Sequence, residues 1–78
     1  MLSEADIRAA IADAVDRGDL AALGIETDFY DFGLDSLDHA QILMRVEDLY
    51  GLHVADADFP ACRSIAAIAA YSRQSADP

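Results

Sequence analysis

Apolar residues recur at helical spacing in three stretches of the chain, and strand-like alternation is absent. In the first stretch Ile7, Ala10, Ile11, Ala14 and Val15 form one stripe, with Glu4, Asp6, Arg8 and Asp13 on the remaining surface. Ser3 is a good N-cap, and Asp6 at the third helical position completes a variant of the capping box. Gly18 reads as the stop signal, so helix one is predicted over about 3–17. The second stretch, about 36–50, has two apolar faces when projected at 100° per residue. Ile42, Val46 and Leu49 fall together, with Leu43 and Tyr50 beside them, and form the core face. Leu37, Ala40 and Met44 fall nearly opposite, flanked by Gln41, Glu47 and Asp48. Gly51 breaks this helix, and Leu52-His53-Val54 is a short apolar link. Asp56-Ala57-Asp58-Phe59 predicts a short third helix, about 56–60, ended or kinked by Pro60. The third long stretch, about 64–74, is capped by Ser64, uses Ile65, Ile68, Ala69 and Tyr71 as its apolar positions, and has Arg73 to suit its C-terminal dipole. Ser75-Ala76-Asp77-Pro78 is expected to fray.

The connection over 18–35 is long. Asp19 to Gly24 predicts one helical turn, with Asp19 as cap and Gly24 as terminator. Leu23, Ile25, Phe29, Phe32 and Leu34 then place an apolar residue every few positions. A structureless loop of this length is unusual in a small domain, so these residues are expected to pin it across the bundle. Asp28, Asp31, Gly33 and Asp35 invite comparison with a calcium loop. With Gly33 at the sixth position, Tyr30, Phe32 and His39 fall where oxygen ligands are required, so an EF-hand is excluded.

Composition narrows the class. The 78 residues make one domain with a small core. They are 54% hydrophobic, much of it alanine, and lack tryptophan, which favours an all-α four-helix bundle with a long first loop and a short third helix. Fifteen acidic residues stand against five arginines and no lysine, for a net charge of −10. That surface repels nucleic acid, disfavours anionic membranes and suits basic partner proteins. Cys62 is the lone cysteine, so an internal disulfide is impossible. The N-terminal residues lack a basic region followed by an apolar run, and no stretch is long enough to span a membrane. A cytoplasmic location follows by default, and the start at Met1 with a capped first helix favours a complete protein.

The chemistry is concentrated in Phe32-Gly33-Leu34-Asp35-Ser36-Leu37-Asp38-His39, where the loop ends and the second helix begins. Asp35 can cap that helix, Asp38 adds favourable charge to its first turn, and Gly33 lets the backbone bend just before the cap. Ser36 is then held in solvent at the positive end of the helix, where a phosphate ester would be stabilised. Asp35-Ser36-Leu37, preceded by Phe29 to Leu34, resembles the phosphopantetheine attachment motif of acyl carrier proteins. The resemblance runs from about Asp28 to Tyr50 by motif, and over the whole chain by length, charge and helix layout. It implies the acyl-carrier bundle with a long ordered first loop, a 4'-phosphopantetheine arm on Ser36, and carriage of acyl groups as thioesters rather than catalysis. Implied partners are a phosphopantetheinyl transferase, an acyl- or aminoacyl-activating ligase, and condensing or acyl-transferring enzymes with basic docking surfaces. The carrier is expected to act as a monomer. The second helix would be the recognition helix, with Leu37, Asp38, Ala40, Gln41, Met44, Glu47 and Asp48 meeting partners; simple packing under a loop is the plainer account of its outer apolar stripe. Arg45 departs from an all-acidic helix and is a candidate for tuning partner choice.

His39 and Ser36 lie one turn apart, but no orienting group or oxyanion hole is evident, so a hydrolase is disfavoured. His39 projects toward the core side, where a lone histidine is more often buried and hydrogen-bonded, and Cys62 is most often a small core residue. Carrier proteins can also hold cargo in a cleft between helices two and three, which here would draw on His39, Phe59, Pro60 and Cys62. Bulky Phe59 and polar His39 favour a short, polar, aminoacyl or polyketide-type cargo over a long fatty chain. Asp35 before the serine leans toward acyl over peptidyl carriers, while Arg45, Phe59-Pro60 and the sparse acid in helix three point to a specialised pathway. Fatty acid, polyketide and aminoacyl or peptidyl systems stay open, as does an unmodified acidic helical adaptor.

Overall fold

A computed structural model describes residues 2–75, and among them there is no strand. Ser3 starts the first helix, α1 (Glu4–Ala14): its Oγ accepts from the Asp6 N–H (3.1 Å), and Asp6 Oδ2 accepts from the Ser3 N–H (3.1 Å). Ile7, Ala10 and Ile11 are buried along it. The helix stops three residues short of the predicted 17, and Gly18 is not its terminator. Val15 leaves the helix at φ −126°, ψ 122°, the extended backbone that β-branched residues favour, while its N–H still reaches Ile11 O (2.9 Å) and its side chain stays in the core.

The first connection is ordered. A 3₁₀ turn spans Leu20–Ala22 and a single α-turn, α2, spans Phe29–Phe32. The predicted turn near 19–24 exists, but Asp19 does not cap it; its carboxylate is taken by Arg17. The α2 turn is an addition to the prediction. Asp28 Oδ1 accepts from the Tyr30 N–H (2.8 Å) to start it, and Gly33 ends it at φ 108°, a left-handed conformation that glycine adopts without penalty. Leu23, Phe29 and Leu34 are buried, and two main-chain bonds fasten the loop to the far side of the bundle: Phe29 N–H to Arg63 O (2.7 Å) and Ala66 N–H to Ile25 O (2.8 Å).

The long helix α3 (Ser36–Tyr50) runs antiparallel to α1 and packs against it. Its far end is marked by the Tyr50 hydroxyl donating to Asp6 O (2.9 Å), and its middle by Arg45 against Asp13 (3.1 Å). Its buried residues are His39, Ile42, Leu43 and Val46. Leu49 and Tyr50, placed on the core face by projection, are exposed. The last turn of α3 lies level with the first turn of α1, and the buried stripe of α1 begins only at Ile7. Gly51 closes α3 at φ 71° and donates to Glu47 O (2.9 Å).

The short third helix is a 3₁₀ turn, Asp56–Ala61. Pro60 lies inside it rather than ending it, because the bonds that hold the turn use the N–H groups of Asp58, Phe59 and Cys62. Helix α4 (Ile65–Ser75) begins at Ser64, whose Oγ accepts from the Ala67 N–H (3.0 Å), and packs on α1. Helix α4 includes Ser75, and the rest of the stretch 75–78 expected to fray lies outside the described residues.

Candidate functional site

Ser36 is the first residue of α3 and is held in a rigid frame. On one side Leu34 is buried and donates its N–H to Phe29 O (3.0 Å). On the other, Asp35 and Asp38 form a reciprocal box: Asp35 Oδ1 accepts from the Asp38 N–H (2.9 Å), and Asp38 Oδ2 accepts from the Asp35 N–H (3.1 Å). Asp38 is therefore a capping partner and more than a favourable charge. The box leaves the Ser36 and Leu37 N–H groups free, together with the positive end of the helix dipole. The Ser36 side chain is exposed, and its hydroxyl has no hydrogen-bond partner among the described residues.

Beyond Ser36, the outer face of α3 carries two bare apolar side chains, Leu37 (63% exposed) and Met44 (60% exposed). Ala40 between them is half-buried, and Gln41 and Asp48 are exposed beside them. Met44 stands as a ridge between two hollows. One, about 600 Å³, lies between α3 and the segment leading into the Asp56–Ala61 turn; Ala40, Leu43, Leu52, Val54 and Phe59 line it. The other, about 270 Å³, is lined by Ala14, Gln41, Arg45 and Asp48. Glu47 is partly engaged at home, accepting from the Val54 N–H (2.9 Å) with His53 nearby (3.6 Å). Arg45 is paired across to α1 through Asp13 (3.1 Å), so its charge ties two helices together.

His39, Phe59 and Cys62 do come together, but as packed core rather than an open cleft. His39 is 1% exposed, as is Cys62. The Cys62 carbonyl can only accept, so His39 Nε2 carries the proton and donates to it (2.8 Å); Nδ1 then accepts from the Tyr30 hydroxyl (2.9 Å). The imidazole lies against Phe59 (ring centroids 4.2 Å apart) and meets Phe29 edge-on (5.9 Å). Burial lowers the His39 pKa, against the opposing pull of the Cys62 carbonyl, so the ring is neutral at pH 7. Burial, with Asp58, raises the Cys62 thiol. Only Phe59 of the three lines the larger hollow, and the His39 ring packs against it. With both ring nitrogens occupied, His39 cannot act as base toward Ser36, and the hydrolase alternative fails on geometry.

The sequence reading missed the residues that complete this cluster. Arg63 Nε meets Asp28 Oδ2 (2.9 Å) while its guanidinium lies over the Tyr30 ring (4.5 Å). Burial works to raise the Asp28 pKa, but the Tyr30 N–H and Arg63 outweigh it and hold the carboxyl below its ordinary value. Among the described residues no group of His, Cys, Asp or Glu could hold a metal ion.

The phosphopantetheine attachment site family matches residues 5–72, from the first turn of α1 to Ser72 in α4. The chain belongs to the phosphopantetheine attachment site family. Domains of this family bear 4'-phosphopantetheine and serve as carriers, not enzymes. No solved structure matches the chain. The residues of this carrier domain fit the group: the free hydroxyl of Ser36 offers a point of attachment, and unused N–H groups beside it suit a phosphate. When bound, the arm supplies the thiol on which an acyl group is carried as a thioester. No helix among the described residues is long and apolar enough to cross a membrane.

Proposed function

We propose that Ser36 Oγ is the attachment point of the phosphopantetheine arm and that the chain is a monomeric, cytoplasmic carrier of acyl groups in a fatty acid, polyketide or related pathway. The observation that carries the assignment is the exposed, unpartnered Ser36 hydroxyl at the first residue of a helix whose cap is already satisfied by Asp35 and Asp38. In the transfer, Ser36 Oγ gives up its proton and bonds to the phosphorus of coenzyme A, whose pyrophosphate link breaks to release the adenosine bisphosphate. The nearest imidazole on α3, His39, has both nitrogens engaged, so the base belongs to the transferase. Intact mass after incubation with coenzyme A and a transferase tests the assignment.

The outer face of α3 is the docking surface in this reading. Leu37 and Met44 provide exposed apolar anchors, and Asp38, Gln41 and Asp48 with the partly engaged Glu47 provide a polar rim that suits basic enzymes. The ligase and the condensing or acyl-transferring enzymes must use the same face to reach the arm, so they bind in turn. The cargo rests in the surface hollow beside Ala40, Leu43 and Phe59, because the interior behind Phe59 is filled by His39. A short or polar cargo follows, and an aminoacyl or peptidyl cargo is the second reading, favoured by the carboxylates of Glu47 and Asp56 at the edge of that hollow.

A further inference from the structure

Arg17 has no part in the core and none in the docking face, yet it is closely positioned. Its Nε and Nη2 grip Asp19 (3.0 and 2.8 Å), and its guanidinium lies over the Phe32 ring (5.2 Å). That bidentate grip leaves Nη1 with no acceptor among the described residues. Nη1 faces Gly33, 3.5 Å from where a β-carbon on that residue would stand. Gly33 is left-handed at φ 108°, and three residues later the chain reaches Ser36, no more than about 11 Å away along extended backbone. The antiparallel packing of α1 on α3, marked by Tyr50 on Asp6 and Arg45 on Asp13, brings the segment after Ala14 to the Ser36 end of α3. The hydrogen bond to Asp19 raises the Arg17 pKa, and Asp38 in the α3 cap adds to that, so the cation is within electrostatic reach of the cap.

The charge balance around Ser36 makes this placement meaningful. Asp35 and Asp38 flank the serine at the start of α3, and a phosphodiester adds a further negative charge beside them. We infer that Arg17 is a positioning residue for the arm: its free Nη1, held by Asp19 and the Phe32 ring over the bare backbone of Gly33, pairs with the phosphate carried by Ser36. Arg17 then offsets the repulsion from the neighbouring carboxylates and restricts the direction in which the arm leaves the helix. Ser36 is exposed and Arg17 only half-buried, so the pairing is screened by solvent ions and weakens as salt is added.

This inference rests on attachment at Ser36, and ³¹P NMR of the loaded full chain separates the two. A parent protein with no phosphodiester resonance overturns the attachment and Arg17's role with it. With the resonance present, Arg17→Gln is expected to move its ³¹P shift at low salt, Arg17→Lys to restore most of the parent value, and about 1 M salt to remove the difference between parent and Arg17→Gln. The Arg17 guanidinium proton resonances of the parent are expected to shift between the unloaded and loaded forms, a readout that does not depend on any variant folding. Identical ³¹P shifts in folded parent and Arg17→Gln, or an Arg17 guanidinium indifferent to loading, would overturn the role.

Discussion

Replacing His39 with leucine tests whether the imidazole is a structural clasp. Leucine keeps much of the volume and removes both hydrogen bonds. The Tyr30 hydroxyl, on a residue 36% exposed, can turn to water at little cost. The Cys62 carbonyl cannot, since its residue is 1% exposed, and a buried carbonyl left unpaired costs about 1–3 kcal/mol. The lost contact with Phe59 is partly offset by the apolar packing of leucine. A net loss of about 1–3 kcal/mol at pH 7 follows, a large share of the roughly 4–12 kcal/mol that holds a domain of this size. The pH dependence provides a second check. Because the folded pKa of His39 is lowered, the unfolded chain takes up a proton first as pH falls below about 6.5. The parent therefore loses stability as pH drops from about 6.5 toward the folded value, whereas His39→Leu lacks that component. The surface carboxylates common to both proteins cancel in the difference, so the gap between parent and variant should narrow on acidification. Urea unfolding of both proteins at pH 7.5 and 5.5 measures it. A variant as stable as the parent at pH 7.5, or a gap that does not change with pH, would refute the clasp.

Two further outcomes concern the proposed surface. Leu37→Glu combined with Met44→Glu should leave stability within about 0.5 kcal/mol of the parent, since both side chains are exposed, while lowering kcat/KM for modification by a transferase about tenfold or more. An unchanged rate would remove this face of α3 from docking. A long saturated acyl group, once loaded, should be cleaved by hydroxylamine nearly as fast as the same thioester on free pantetheine, and complete shielding would contradict a surface resting place for the cargo.

The sequence carried the helices wherever apolar spacing and capping agreed. Ser3 with Asp6, Ser64, and Asp35 before Ser36 each announce a helix start through a local side-chain bond that depends on few distant contacts. Helix ends were less legible. Val15 left α1 in extended backbone with its side chain still in the core, and Leu49 lost its partner because α1 begins level with the last turn of α3; both outcomes belong to the packed pair of helices and not to either one alone. The α2 turn is too short to display a period, and its stop, Gly33, had been read only as a bend before Asp35. The serine was legible because its motif is contiguous. The supposed cleft was not, since whether His39 borders space or fills it depends on Tyr30 and the Cys62 carbonyl, nine and twenty-three residues away. Arg63 over Tyr30 likewise joins residues with no spacing signal between them.

Attachment at Ser36 is tested most directly by intact mass. The parent and Ser36→Ala are each measured before and after incubation with coenzyme A and a broad-specificity phosphopantetheinyl transferase. The expected result is a gain of one phosphopantetheine unit in the parent and none in the variant, with both folded. A folded parent that gains nothing, or a Ser36→Ala variant that gains the same mass, would contradict it: the first would leave Asp35 and Ser36 as a helix start on an unmodified acidic adaptor, and the second would move the arm to another residue.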